Sequence, residues 1–135
     1  MNTARIACLQ IGNTATSAAL EQLEGMLAAL PDSVVIERFG RALAEPAILA
    51  QLPAIVIEEP DLLLLAAMHG GSARALTMAA TKSGLPTALW CHDEHHSLAS
   101  SALAGEALRQ LDHPHLLIHG PARSAAEELS AAAAG

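Results

Sequence analysis

Side chains able to do chemistry are gathered in two short segments and one isolated histidine. The first segment is His69-Gly70-Gly71-Ser72. Glycines let backbone pass close to a ligand. The amides that open a following helix are unpaired and favour a phosphate or carboxylate. Ser72 adds a hydroxyl and Arg74 a charge. The same two glycines equally suit a plain, sharp strand-to-helix turn. The second segment is Cys91-His92-Asp93-Glu94-His95-His96. Imidazole and thiolate suit zinc or another transition metal, and carboxylates suit harder ions. His92, His95 and His96 are the candidate ligands, and a divalent metal is the cofactor their chemistry would take. Their spacing matches no established zinc motif, so a solvated polar loop touching a ligand through one or two residues is the alternative. The isolated residue is His119, just before Gly120. Cys91 with a neighbouring histidine as base has the residue types for a nucleophilic step, but no catalytic residue is assigned. Cys8 lies in an apolar run and is expected to be a small buried hydrophobe. The GxxxxGK[ST] and GxGxxG phosphate-binding patterns are absent.

These residues need elements to hold them. Arg5 to Ile11 is an apolar run expected to be a buried strand, closed by Gly12-Asn13-Thr14. From Thr16 to Leu30, apolar residues recur at three- and four-residue spacing, which predicts an amphipathic helix ended by Pro31-Asp32. Ser33 to Arg38 is rich in β-branched residues and predicts a second strand, closed by Phe39-Gly40. Glu45 to Leu52 predicts a short helix with Pro46 in its first turn. Ala54 to Glu59 fits either a strand, through Ile55-Val56-Ile57, or the tail of a Pro-kinked helix. Leu62 to Ala67 is a continuous apolar run of the kind covered on both faces of a sheet. A helix then runs to about Ser83, with Gly84 as its left-handed cap and Pro86 beyond. Thr87 to Trp90 is a fourth strand. Ser97 is expected to cap a helix reaching Leu111. Pro114 to Ile118 is a fifth strand, and an Ala-rich helix follows.

Strand and helix alternate five times, which means parallel strands with crossover helices and helices on both faces. The expected fold is α/β: one three-layer, doubly wound parallel sheet of about five strands, flavodoxin-like, over residues 1–135. Ligands of open α/β sheets bind outside the carboxyl ends of the strands. Five of the seven histidines fall at those ends, at 69, 92, 95, 96 and 119. The candidate ligand-binding set is therefore His69, Gly70, Gly71, Ser72, His92, Asp93, His95, His96, Ser97 and His119.

Composition narrows the partners. Apolar residues make up 52% of the chain, yet it holds one Phe, one Trp and no Tyr, so its core must be aliphatic. Seven Lys and Arg stand against fourteen Asp and Glu. That acidic balance argues against nucleic acid, which needs a basic patch. No apolar run is long enough to span a bilayer, and the N-terminus lacks the apolar stretch of a signal peptide. Two cysteines make no disulfide framework, so a cytoplasmic setting is expected. Low charge with high apolar content points to association with a second copy or a partner chain.

The second half resembles the N-terminal domains of the L-fucose and L-arabinose isomerase superfamily. The likeness lies in Asp61 to Leu76 (DLLLLAAMHGGSARAL), in Gly84 to Cys91 (GLPTALWC), and in His96 to Leu111 followed by Leu116 to Gly120 (LLIHG). His96 stands where that pattern often has Asn. The resemblance implies a flavodoxin-like fold and a rim facing a sugar or phosphate. It implies no catalytic residue here, because that family's metal-binding carboxylates and histidine lie in later domains. Three functions follow as expectations. The first is a domain or subunit that binds a sugar, polyol or phosphorylated metabolite at the strand ends. The second is a stand-alone isomerase-, lyase- or racemase-like enzyme using His or Cys as acid and base. The third is a protein–protein interaction module.

Overall fold

The computed structural model describes residues 3–12, 16–42, 45–69, 72–92 and 97–135. Five strands and five helices alternate along the chain: β1 (Ala4–Ile11), α1 (Ser17–Ala28), β2 (Val34–Ala42), α2 (Glu45–Ile57), β3 (Leu62–Ala67), α3 (Ala73–Ser83), β4 (Thr87–Cys91), α4 (Ser97–Gln110), β5 (His115–Ile118) and α5 (Ala122–Ala133). All pairings are parallel and the strand order is β2-β1-β3-β4-β5. That is the flavodoxin-like, doubly wound order.

Winding reverses between β1 and β3, so helices cover both faces. The residue alternation of the strands decides which side chains meet which helices. Ile6, Cys8, Leu64, Ala66, Ala88, Trp90 and Ile118 face α1 and α5. Ala7, Leu9, Ile11, Leu63, Leu65, Ala67 and Leu89 face α2, α3 and α4. β3 is central and all six of its residues are buried, which is why its sequence is uniformly apolar. Gly84 adopts φ 67° and its amide donates to the Ala80 carbonyl, so α3 ends in the expected left-handed cap. Thr16 caps α1, its Oγ1 accepting from the Ala19 amide at 3.1 Å.

Two elements run further than their sequence suggests. β2 continues through Phe39-Gly40 to Ala42, with a register break opposite Cys8 to Gln10. Gly40, at φ 83°, allows the extra residue to be accommodated as a bulge. α2 continues through Pro53 to Ile57, which settles the ambiguous stretch as helix. Pro53 removes one helical hydrogen bond, but it is exposed, so water can satisfy the freed carbonyl. Ile48, Leu52 and Ile55 keep a helical stripe against the sheet on both sides of it.

Candidate functional site

The C-terminal edge of the sheet is built from the ends of five strands. At the reversal point, the Met68 amide donates to the Ile11 carbonyl at 3.0 Å, and the Gly12 amide donates to the Ala42 carbonyl at 3.2 Å. β1, β2 and β3 therefore end together. Gly12 has φ 143°, and a Cβ there would lie 3.3 Å from both the Cβ and the amide nitrogen of His69. A side chain at position 12 would press on the segment that carries His69, and its φ would be strained for any residue with a Cβ. Glycine is what lets these two strand ends approach.

β3 and β4 are locked at the same edge by side chains. His92 is 1% exposed, and its Nε2 donates to the Met68 carbonyl at 3.0 Å. A carbonyl only accepts, so Nε2 carries the proton. Ser97, the first residue of α4, is fully buried. Its Oγ accepts from the His92 amide at 3.2 Å and donates to the Ala67 carbonyl at 2.5 Å. Its hydroxyl thus ties two strand ends to α4. The expectation that it would cap a free helix amide misses this pairing. Ser72 is also buried; its Oγ donates to the His69 carbonyl at 2.9 Å, and its amide donates to Ser100 Oγ at 3.3 Å. Ser100 lay outside the sequence-based set. Its signal is faint: three serines, at 97, 100 and 101, at helical spacing on one buried face.

The ten sequence-selected residues therefore divide. His92, Ser97 and Ser72 spend hydrogen-bonding atoms on the frame of the edge. His69 is half-buried and His119 is exposed, both at strand ends. Gly70, Gly71, Asp93, His95 and His96 lie outside the described residues. His92 Nε2, held by Met68, is not available to a metal in this arrangement. Among the described residues no three His, Cys, Asp or Glu side chains are grouped to hold a metal ion.

His119 lines a cavity of about 390 Å³ on the α1/α5 side of the edge, with Gln22, Met26 and Trp90 among its other walls. The two remaining histidines sit at the opposite edge, where His113 Nε2 donates to the Leu85 carbonyl at 2.7 Å and His115 Nδ1 to the His113 carbonyl at 2.8 Å.

The cysteines lie in the core. Neither is in a disulfide, and both are buried. Burial pushes the Cys8 thiol from 9.0 up to about 12, which removes it from any thiolate role near neutral pH. Cys91 Sγ lies 3.7 Å from the Ile118 carbonyl.

No protein-family model matches the chain. No curated protein matches it either. Among the described residues no helix is long and apolar enough to cross a membrane.

Proposed function

We propose that the protein is a small-molecule binding domain or subunit that takes a sugar, polyol or phosphorylated metabolite at the C-terminal edge of its sheet. The observation that carries this reading is the frame of that edge. Hydrogen bonds from His92, Ser97 and Ser100 fasten the ends of β3 and β4 to each other and to α4. His69, Ser72, His92 and Ser97 are therefore fixed anchor points at that edge. Rigid placement of binding groups is what a polar ligand requires. The winding reversal beside Gly12 and His69 is where ligands of such sheets bind. The resemblance of the second half to sugar isomerase N-terminal domains supports the same ligand class. In this reading His69 and His119 supply imidazole contacts, and the amides near Ser72 attract an anionic group.

A divalent metal belongs to this reading through His95 and His96, and elemental analysis of untagged protein tests it. A second copy or partner chain is also part of it. Ile57 is 77% exposed, Leu103 66% and Leu111 61%, which is apolar surface an associating chain would cover; sedimentation velocity reads the outcome. Buried cysteines outside any disulfide fit a reducing cytoplasm.

The experiment is a thermal-shift panel with ribose 5-phosphate, ribitol and L-arabinose. A ligand at one hundred times its Kd stabilises by about 2.7 kcal/mol, a Tm rise of about 5–10 °C. His69→Ala and His119→Ala should each diminish that rise. No shift with any of the three, or a shift that both variants leave intact, rejects the edge as the binding site.

A further inference from the structure

The large apolar side chains left exposed are divided unevenly between the two faces. Among the described residues, those on helices are Leu49, Val56 and Ile57 of α2 and Leu98 and Leu103 of α4, with Leu111 just beyond α4. α1, α3 and α5 expose none. On the border strands, Val35 is in register with Arg5, two residues before Ala7, and Leu117 with Leu89, so both point to the α2–α4 side. Leu116, in register with Ala88, points to the other. Two contacts show how the helical residues lie. Glu45 pairs with Arg74 of α3 at 2.6 Å, which marks the α3 side of α2. Leu49 and Val56, four and eleven residues on, continue that row. Ser100 Oγ accepts from the Ser72 amide at the start of α3, which marks the α3 side of α4. Leu103 and Leu111, three and eleven residues on, continue that row. Apolar rows therefore flank α3 on both sides.

We infer that the α2–α3–α4 face is where two copies of this chain meet, related by a two-fold axis. Charge selects a second copy. These helices carry Arg74, Lys82 and Arg109 against Glu45 and Glu106, and Glu45–Arg74 and Glu106–Arg109 are ion pairs within the chain. A face so balanced neither repels its own copy nor calls for an oppositely charged partner. α1 and α5 instead carry Glu21, Glu24, Glu127 and Glu128 against Arg123. A two-fold contact through α2–α4 turns that acidic face outward in both copies. Because the acidic face exposes no large apolar helical side chain among the described residues, it offers nothing to cover the leucines, and the match is with the same face of another copy. Size agrees. The 14 residues of α4 are about 21 Å long, and three helices side by side span about 30 Å. The contact is then about 600 Å² per copy, the lower end of specific interfaces, with dissociation in roughly the micromolar range. The inference narrows the associating chain of the proposed function to a second copy and rests on nothing about the ligand.

Sedimentation velocity of the untagged chain, from about 1 to 500 µM, is the test. A monomer–dimer equilibrium is the expected result. Val56→Glu and Leu103→Glu replace exposed side chains on α2 and α4, and a two-fold contact takes each change twice. Each should raise the dimer Kd by about tenfold or more. Glu128→Lys, on the opposite face, should leave it unchanged. Melting curves verify that each variant is folded. A monomer throughout the range, or a dimer that either Val56→Glu or Leu103→Glu leaves unaltered, overturns the inference. So does mass that grows past the dimer, or a dimer lost in Glu128→Lys, since both would mean that the apolar face meets the acidic one. Sedimentation without ligand reads this contact alone and the thermal-shift panel reads the strand-end site alone, so either can fail without the other.

Discussion

Ser97→Ala tests whether the edge of the sheet is held as described. The wild-type hydroxyl satisfies a buried amide, that of His92, at 3.2 Å, and a strand-end carbonyl, that of Ala67, at 2.5 Å. Alanine leaves both without that partner at a fully buried position. Each stranded polar group costs roughly 1–3 kcal/mol, so the variant should lose about 2–4 kcal/mol, a large share of the roughly 5–15 kcal/mol that stabilises a domain. Two neighbours on α4 make the comparison internal. Ser100 accepts a single longer bond, 3.3 Å from the Ser72 amide, so Ser100→Ala should lose about 1 kcal/mol. The Ser101 hydroxyl is buried with no hydrogen-bond partner among the described residues. Ser101→Ala should therefore be neutral or stabilising by up to about 1 kcal/mol, helped by alanine's better helix propensity. Urea unfolding followed by Trp90 emission measures all three. The expected order of stability is Ser101→Ala, then Ser100→Ala, then Ser97→Ala. If Ser97→Ala proves no more costly than Ser101→Ala, the hydroxyl does not clamp the strand ends and the frame argument fails.

Other outcomes follow from the same geometry. Leu65→Ala, at a fully buried position of β3, should cost about 3–5 kcal/mol in the same assay. Gly12→Ala combines φ 143° with a 3.3 Å approach to His69, so it should be destabilising and should reduce any ribose 5-phosphate shift; an unaltered shift would detach the reversal point from the ligand. The Cys8 thiol stays protonated in the fold up to about 12, against 9.0 when unfolded. The unfolded chain therefore sheds this proton first as pH rises, and its stabilising contribution, whole below pH 9, falls by about 1.4 kcal/mol per pH unit above that. Cys8→Ala should flatten this part of the stability curve, measured by urea unfolding between pH 8 and 11.

Much of the architecture could be read from residue order. The apolar run at Leu62 to Ala67 and the Gly84-Pro86 punctuation are local signals, and each maps onto one element. Readings stayed open or stopped short where tertiary contacts override local preference. Ile55-Val56-Ile57 has strand composition, yet Ile55 joins Ile48 and Leu52 in the stripe that packs on the sheet, and packing keeps the helix going past Pro53. Phe39-Gly40 looks like a stop, yet pairing with β1 carries the strand across it. For the candidate site, the placement of histidines at strand ends was legible and their partners were not. Strand order brings His69, His92 and His119 to one edge, as the spacing implies. Which of them faces a ligand depends on partners far away in sequence. His92 is spent on the Met68 carbonyl just past β3, and Ser97 on the Ala67 carbonyl at its end. The cavity beside His119 needs Gln22 and Met26 from α1, and no short motif joins them to residue 119.

The two margins of the sheet carry a consequence of their own. Open strand borders invite other chains to add on and so to template fibrils. β5 offers only four residues, and β2, though nine residues long, is interrupted by its bulge and carries Glu37, Arg38 and Arg41. Neither border presents a long, flat, regular ladder. Both borders are thereby poor templates for strand addition, and a chain that met this protein would find no long ladder to extend.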